Sequence, residues 1–324
     1  MLIIPENLAV SLVSPQDAIE AVGNAFVAAY EKKAQSYPVV RETVPGFEAV
    51  FGVKTGFDAT LPALGLKAGG YWARNAAAGR SNHQSSTLLF DPHSGQAMAL
   101  VSANYLTGVR TGAASALASR HLARPEAAVL GLIGTGTQSA HQLRAAMAVR
   151  SLNRVLAWDP DKANLDRFSK MVGELGLAFE APDIADVAHR ADIIITITPS
   201  REALLQRSWI RPGTHINAMG ADTAGKQELD PELVQAASIV IDDADQAISI
   251  GECQHAYRLG LIDRDRLRWS IGGVIAGAFS RRTPEEITLF DGTGVALQDL
   301  AVAALAYRRA RERGLGLECD FAGR

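Results

Sequence analysis

The pattern of apolar and polar positions changes character partway along the chain. Between residues 126 and 245, short continuous apolar runs alternate with helical stretches: AAVLGLI, RVLAWD, ADIIITITPS (191–200), HINAMG (215–220) and ASIVIDD (237–243). Runs that are apolar at every position suit parallel strands covered on both faces, and their alternation with helices predicts a doubly wound sheet. The first third reads differently. SPQDAIEAVGNAFVAAYEKKA (14–34) has helical periodicity behind Ser14 as N-cap. YPVVRETV, EAVFGVKTG, LGLKAGGYW and SSTLLFD alternate as half-buried strands do, and DPHSG (91–95) is a hairpin signal. TGVRTGAASALASRHLA (107–123) predicts a helix of small residues, and GVALQDLAVAALAYRRARERG (294–314) a long amphipathic one that returns to the first part. The fold expected is α/β: a Rossmann doubly wound parallel sheet over 123–295, plus a discontinuous α+β domain built from 1–122 and 296–324.

The first apolar run of the middle region ends in LGLIGTG (130–136) and continues as TQSAHQLRAAM, a helix opening. A strand, a glycine turn and a helix N-terminus together bind a dinucleotide: backbone N–H groups and the helix dipole face the diphosphate. Gly134 permits the tight turn and Gly136 lets the backbone approach the phosphates, with Thr135, Thr137 and Gln138 as neighbouring contacts. Thr198, in the third apolar run, is a further candidate. Ser139 stands where the motif's third small residue is usually Gly or Ala. Asp159, at the end of the second run (VLAWDPD), offers a carboxylate to the ribose 2′-OH and would repel a 2′-phosphate, so NAD(H) is favoured over NADP(H). The bland reading of Asp159 is a turn or N-cap residue before Pro160.

Length and charge narrow the picture. At 324 residues the chain suits two domains rather than one core. Its net charge of −3, with both signs interspersed, gives no electrostatic footprint for nucleic acid, and RRARERG (308–314) reads as a solvated helix face. No apolar run reaches the roughly 18–20 residues that a membrane helix needs. MLIIPENLAVSL lacks a basic leader region, so no signal peptide is expected, and the expected compartment is the cytoplasm. Cys253 and Cys319 have neither metal-ligand spacing nor a disulfide framework, and no metal is expected.

Chemistry is suggested by cations inside otherwise apolar strands and turns: Arg41 in PVVRE, Lys54 in FGVKTG, Lys67 in LGLKAGG and Arg110 in LTGVRTG. Buried charges are costly unless paired, so each is either part of a structural ion pair or a ligand for an anion such as a substrate carboxylate. Past the fourth run, GADTAGKQELD (220–230) places Asp222 where open α/β sheets hold their ligands, a candidate for acid/base work. The alternative is that Asp222 caps a turn while Lys226 or Glu228 pairs locally. His83, in SNHQSS, is a second candidate for orientation or proton transfer.

These residues resemble the ornithine cyclodeaminase/μ-crystallin family over nearly the whole chain. The matching segments are LGLKAGGYW, NHQSSTLLFDPHSG, LTGVRTGAASALASRHLAR, GLIGTGTQSAHQL, HINAMGADTAGKQELDPELV and LFDGTGVALQDLAVAAL. The resemblance implies a homodimer formed through the non-nucleotide domain, a nicotinamide cofactor, and an α-amino or α-imino acid substrate. It matches Arg41, Lys67 and Arg110 to carboxylate-binding cations, and Asp222 to the catalytic aspartate, with Lys67 a second catalytic candidate. Thr293 and Gly294 match the segment near nicotinamide and substrate, and Thr111 a cofactor contact. Reactions of the family pass hydride between C2 of an amino acid and the nicotinamide through an imine. Lys54 adds positive charge beyond the usual clamp and His83 a possible donor. The surplus suits two carboxylates, hence an expected NADH-dependent reduction of iminosuccinate to L-aspartate. Reduction of Δ1-pyrroline-2-carboxylate and ornithine cyclodeamination are the alternatives, and an NAD(P)H- and ligand-binding protein with little turnover is the non-enzymatic one.

Overall fold

The computed structural model describes residues 1–279, 281 and 283–321. The chain forms two compact units, Met1–Arg110 with Val295–Arg324, and Thr111–Gly294. The division falls inside the helix Asn104–Leu122, twelve residues before the helix end where the apolar pattern places it. Small residues explain this. A Cβ on Gly112 would lie 2.6 Å from the His141 carbonyl oxygen, so the second half of the helix packs directly on the Ser139–Met147 helix. The first half keeps its polar contacts in the first unit, through Thr107 and Arg110.

In the first unit, an eight-stranded sheet runs in the order Leu317–Glu318, Leu2–Ile4, Ala97–Ser102, His83–Phe90, Ala63–Trp72, Ala49–Asp58 and Ala34–Ser36, with Val40–Val44 also pairing to Ala49–Asp58. The pairs are antiparallel except Leu2–Ile4 with Ala97–Ser102. The DPHSG turn does join two paired strands. Helix Pro15–Tyr30 starts at a Ser14 capping box with Asp17 and buries Ala18, Ile19, Val22 and Phe26. It ends at Tyr30, earlier than the apolar pattern suggests, because Ala34–Ser36 joins the sheet. Helix Ala296–Glu312 lies against one sheet face. Glycines allow its close approach: a Cβ on Gly56 would sit 3.3 Å from the Ala296 Cβ, and one on Gly65 2.9 Å from Leu300. Arg309 ties the two helices through a double contact with Asp17, 2.7 Å at each oxygen.

The second unit is a seven-stranded, wholly parallel sheet, ordered Ala178–Glu180, Arg154–Trp158, Val129–Ile133, Ile193–Thr196, His215–Ala218, Thr288–Asp291 and Ser238–Ile241. Numbered along the chain this is 3-2-1-4-5-7-6, a Rossmann doubly wound arrangement whose winding reverses at Val129–Ile133. Leu130, Leu132, Ile133, Leu156, Ile194 and Ile216 are fully buried between the helical layers. All five expected strands are present, and two more join them. Ala178–Glu180 is a three-residue edge strand, too short to carry a pattern. Thr288–Asp291 lies inside the sheet beside its edge strand and is completely buried, but its four residues run at once into Gly292, Thr293 and Gly294 and read locally as a turn.

Candidate active site

Strand register gathers the cations of the first unit. Lys54 and Lys67 are direct partners across the antiparallel pair Ala49–Asp58 and Ala63–Trp72, and Arg41 is the partner of Gly52. Opposed residues share a face and alternate residues return to it, so Arg41, Lys54 and Lys67 lie on one side of the sheet. His83 pairs with Tyr71 on that same side; it begins a strand and does not lie in a loop, as its polar flanks suggest. Gly52 and Gly69 are partners in the row between, leaving its middle bare of side chains between Arg41 and Ser85. A Cβ on Gly69 would fall 2.4 Å from that of Ser85, so the strip is closed to any larger residue.

Lys54, Lys67 and Arg110 are each under a tenth exposed. They converge on an acid that the sequence reading passed over. Asp299 Oδ1 lies 3.0 Å from Lys67 Nζ and 3.0 Å from Arg110 Nε, and Arg110 Nη1 donates to Gln298 Oε1 at 2.7 Å. The structural ion pair expected as the bland alternative is therefore real for Lys67 and Arg110, yet three cations face this one carboxylate. Burial pushes the Lys67 ammonium down to about 7; Asp299 opposes this, while the Arg110 and Lys54 charges add to it. For Asp299 burial acts upward, but Arg110 and Lys67 outweigh it and hold the carboxyl below its usual range. Gln298 and Asp299 left one signal: polar residues in the first turn of a helix otherwise apolar on its inner face.

In the second unit the glycine turn lies at the carboxyl end of Val129–Ile133, where the winding of the sheet reverses. Gly134 has φ +96°, and a Cβ there would meet the Ile197 carbonyl oxygen at 2.8 Å and Thr198 Cγ2 at 2.9 Å. Two cofactor candidates, Gly134 and Thr198, are thus in contact. A Cβ on Gly136 would meet nothing within 4 Å, so protein packing does not demand this glycine and its backbone lies open. Ser139 also finds a role: its buried hydroxyl donates to the Gly136 carbonyl at 2.7 Å and fixes the turn. Asp159 accepts from Thr135 N at 2.7 Å and Thr135 Oγ1 at 3.0 Å, bracing the turn from the neighbouring strand. The turn reading of Asp159 also holds, since its Oδ1 accepts from Asp161 N at 2.8 Å, but the N-cap of the next helix is Asp161. These residues fit an adenine dinucleotide: backbone donors for its diphosphate, and at Asp159 an acceptor for a ribose hydroxyl.

Asp222 lies past the end of His215–Ala218. Lys226 Nζ donates to Asp222 Oδ1 at 2.8 Å and to the Gly220 carbonyl at 3.0 Å, so the local pairing considered for Asp222 is present. Both side chains of the pair remain partly exposed. Beneath this loop run three buried carboxylates. Glu228 accepts from Thr196 Oγ1, Thr198 N and Gly220 N; Glu252 accepts from the backbone of Glu228 and Leu229; Asp291 accepts from that of Glu252 and Cys253. Burial raises all three, Asp291 to about 7 and Glu252 well above its usual value, with the Glu228 charge adding at Glu252. Gly220 must be bare, since a Cβ would press on Glu228 Oε1 at 2.4 Å. Thr293 Oγ1 and Gly294 N both donate to Asp242, at 2.7 and 2.6 Å, just past the strand Thr288–Asp291. Thr111 is buried one residue after Arg110. His141 contributes its carbonyl to the packing against Gly112 and carries no evident chemistry. Among the described residues no group of three His, Cys, Asp or Glu could hold a metal, and no helix is long and apolar enough to cross a membrane.

A parallel sheet with this turn at its switch point and an acid past a neighbouring strand defines a Rossmann-type dinucleotide-binding protein, and comparison with known proteins supplies the family. The ornithine cyclodeaminase/mu-crystallin family model matches residues 6–314, and the chain belongs to that family. It is 46% identical to the iminosuccinate reductase of Paracoccus denitrificans over 321 residues, 99% of this chain and 100% of that one. The crystal structure of that enzyme with NAD+ superposes with a TM-score of 0.94 at 45% identity, covering 99% of both chains. An archaeal alanine dehydrogenase, solved as a dimer with bound NAD, gives 0.94 at 35% identity over 99% of both. The Thermococcus litoralis Δ1-pyrroline-2-carboxylate reductase with NADH and L-proline gives 0.94 at 30%, over 98% of this chain and all of that one.

Proposed function

We propose that the protein is an NADH-dependent reductase of 2-imino acids, with iminosuccinate as substrate and L-aspartate as product. The observation that carries the substrate is the cation set of the first unit: Lys54, Lys67 and Arg110 around Asp299, three positive charges to one negative. A cluster with that surplus suits a dianion. Ornithine cyclodeamination would place a distal ammonium among the same cations, which like-charge repulsion disfavours. A monocarboxylate such as Δ1-pyrroline-2-carboxylate is the second reading, supported by the relative solved with NADH and L-proline.

In this reading Arg110, Lys67 and Arg41 bind the carboxylate next to the imine, and Lys54 the second, with His83 as a further donor. Gly134, Thr135, Gly136, Thr137 and Gln138 hold the cofactor diphosphate, and Asp159 favours NAD(H). Thr111, Thr198, Thr293 and Gly294 line its nicotinamide end. Reduced nicotinamide, when bound, supplies the hydride that C2 accepts. Asp222 gives the nitrogen its proton and recovers one through the neighbouring Lys226, so one imine, one NADH and one proton become one amine and one NAD+. The rest of the rate comes from positioning and from cations fixed before the substrate arrives. Exposed Val40, Phe47 and Phe51 in the first unit support a homodimer, as does the dimeric archaeal relative; a cytoplasmic enzyme is the matching location.

The test is turnover of NADH by purified protein with oxaloacetate plus ammonia, with Δ1-pyrroline-2-carboxylate, and of NAD+ with ornithine. Oxidation of NADH with aspartate accumulating is expected. Turnover of ornithine alone would overturn the reductase reading.

A further inference from the structure

We propose that Asp299 is a positioning residue for the substrate-binding cations, aiming Lys67 and Arg110 from the helix Ala296–Glu312 without touching the substrate itself. The inference rests on the reading of Lys67 and Arg110 as carboxylate ligands. Its own support is geometric. Asp299 is 3% exposed, fully enclosed beside cations that are themselves buried. Oδ1 accepts a hydrogen bond from Lys67 at 3.0 Å and lies 3.0 Å from Arg110 Nε as a charge contact, while Oδ2 is shut from solvent with no hydrogen-bond partner. A carboxylate serving only as mortar between helix and sheet would gain by satisfying both oxygens. Here one atom holds Lys67 by a hydrogen bond and Arg110 by its charge, Gln298 accepts from Nη1 of Arg110, and Thr107 Oγ1 lies 3.5 Å from Lys67 Nζ. An ammonium has three N–H groups, so among the described contacts one remains for a ligand.

Electrostatics gives the arrangement a consequence. The groups acting on Lys67 are Asp299 on its helix, Arg110 on the helix Asn104–Leu122, and Lys54 on the adjoining strand. Of these only Asp299 favours the protonated amine. Burial and two cations push the Lys67 ammonium down to about 7, and Asp299 opposes them, so that a substantial fraction stays charged at neutral pH. Removing that carboxylate pushes Lys67 further down, so that less of the amine is charged to hold an anion at neutral pH.

Succinate, a dicarboxylate with no reducible bond, serves as probe. Its dissociation constant is measured calorimetrically on protein saturated with NADH, from pH 6 to 9, for the wild type, D299N and D299N/K67R. In the wild type the affinity should fall as pH rises through about 7. In D299N the fall should begin at least about one pH unit lower, making binding at pH 7.5 roughly tenfold weaker. Adding K67R should flatten the profile, because a guanidinium keeps its proton. A D299N loss that is uniform across pH would mean structural support only and would overturn the inference. Should D299N not fold, K67R with native Asp299 decides: it should abolish the alkaline fall, and a fall like that of the wild type refutes the proposal. Wild-type protein that binds no succinate sinks the carboxylate site itself, and this inference with it.

Discussion

Lys54 and Lys67 are direct cross-strand partners, two buried cations side by side on one face of an antiparallel pair. Like charges so placed repel, and the fold keeps them over a strip of glycines at Gly52 and Gly69. The arrangement costs stability and suits an anion of more than one charge. Replacing Lys54 by Ala should lower kcat/KM for the four-carbon dicarboxylate imine about ten- to hundredfold, the worth of one charge-assisted contact. The imine from pyruvate and ammonia should change far less. Parallel steady-state kinetics on the two imines check this; equal losses would remove Lys54 from the second carboxylate.

Asp222→Asn keeps the shape of the loop and removes the acid. Turnover should fall at least about a hundredfold, the usual scale for general acid catalysis, with NADH affinity within about threefold of wild type. Stopped-flow absorbance and fluorescence titration separate the two quantities. Full turnover in the variant would assign proton transfer elsewhere.

The two turn glycines should fail differently. Gly136→Val points into open space, so the protein should fold with near-native melting while NADH binds at least about tenfold more weakly. Gly134→Val combines φ +96° with contacts under 3 Å, so the fold itself should lose about 2–3 kcal/mol. Thermal melts beside NADH titrations distinguish them.

The Asp17–Arg309 pair gives a pH signature. Arg309 holds the Asp17 carboxyl well below its ordinary value of 3.8. A depressed folded-state value means stabilisation that is present above 3.8 and lost as pH falls below it. D17N should therefore cost about 1 kcal/mol at pH 7, a modest sum for a partly exposed pair. The difference from wild type should shrink steadily below pH 4 in urea unfolding. A constant difference would assign the loss to the helix cap alone.

Glu228→Gln sets an amide among three donors, from Thr196, Thr198 and Gly220. One of them must then lose its acceptor, at about 1–3 kcal/mol. Chemical denaturation should show that loss, and turnover should fall with it because Gly220 leads into Asp222. Unchanged stability would mean that Glu228 is already protonated in the native state.

Local patterning settled much of this. Buried parallel strands must be apolar at every position, so AAVLGLI, RVLAWD and ADIIITITPS declared the Rossmann sheet, and only Gly suits the turn at 134. Single residues also flagged chemistry, because a charge in an apolar strand is expensive wherever the strand lies. What local pattern could not reach depends on register and on contacts distant in sequence. Thr288–Asp291 becomes a strand only because two others flank it. Lys54 faces Lys67 only because the hairpin turns where it does. Asp299 meets Lys67 across 232 residues, on a helix that glycines let approach, and no spacing along the chain encodes that meeting. Sequence named the cations; tertiary structure decided that Lys67 and Arg110 share one buried carboxylate.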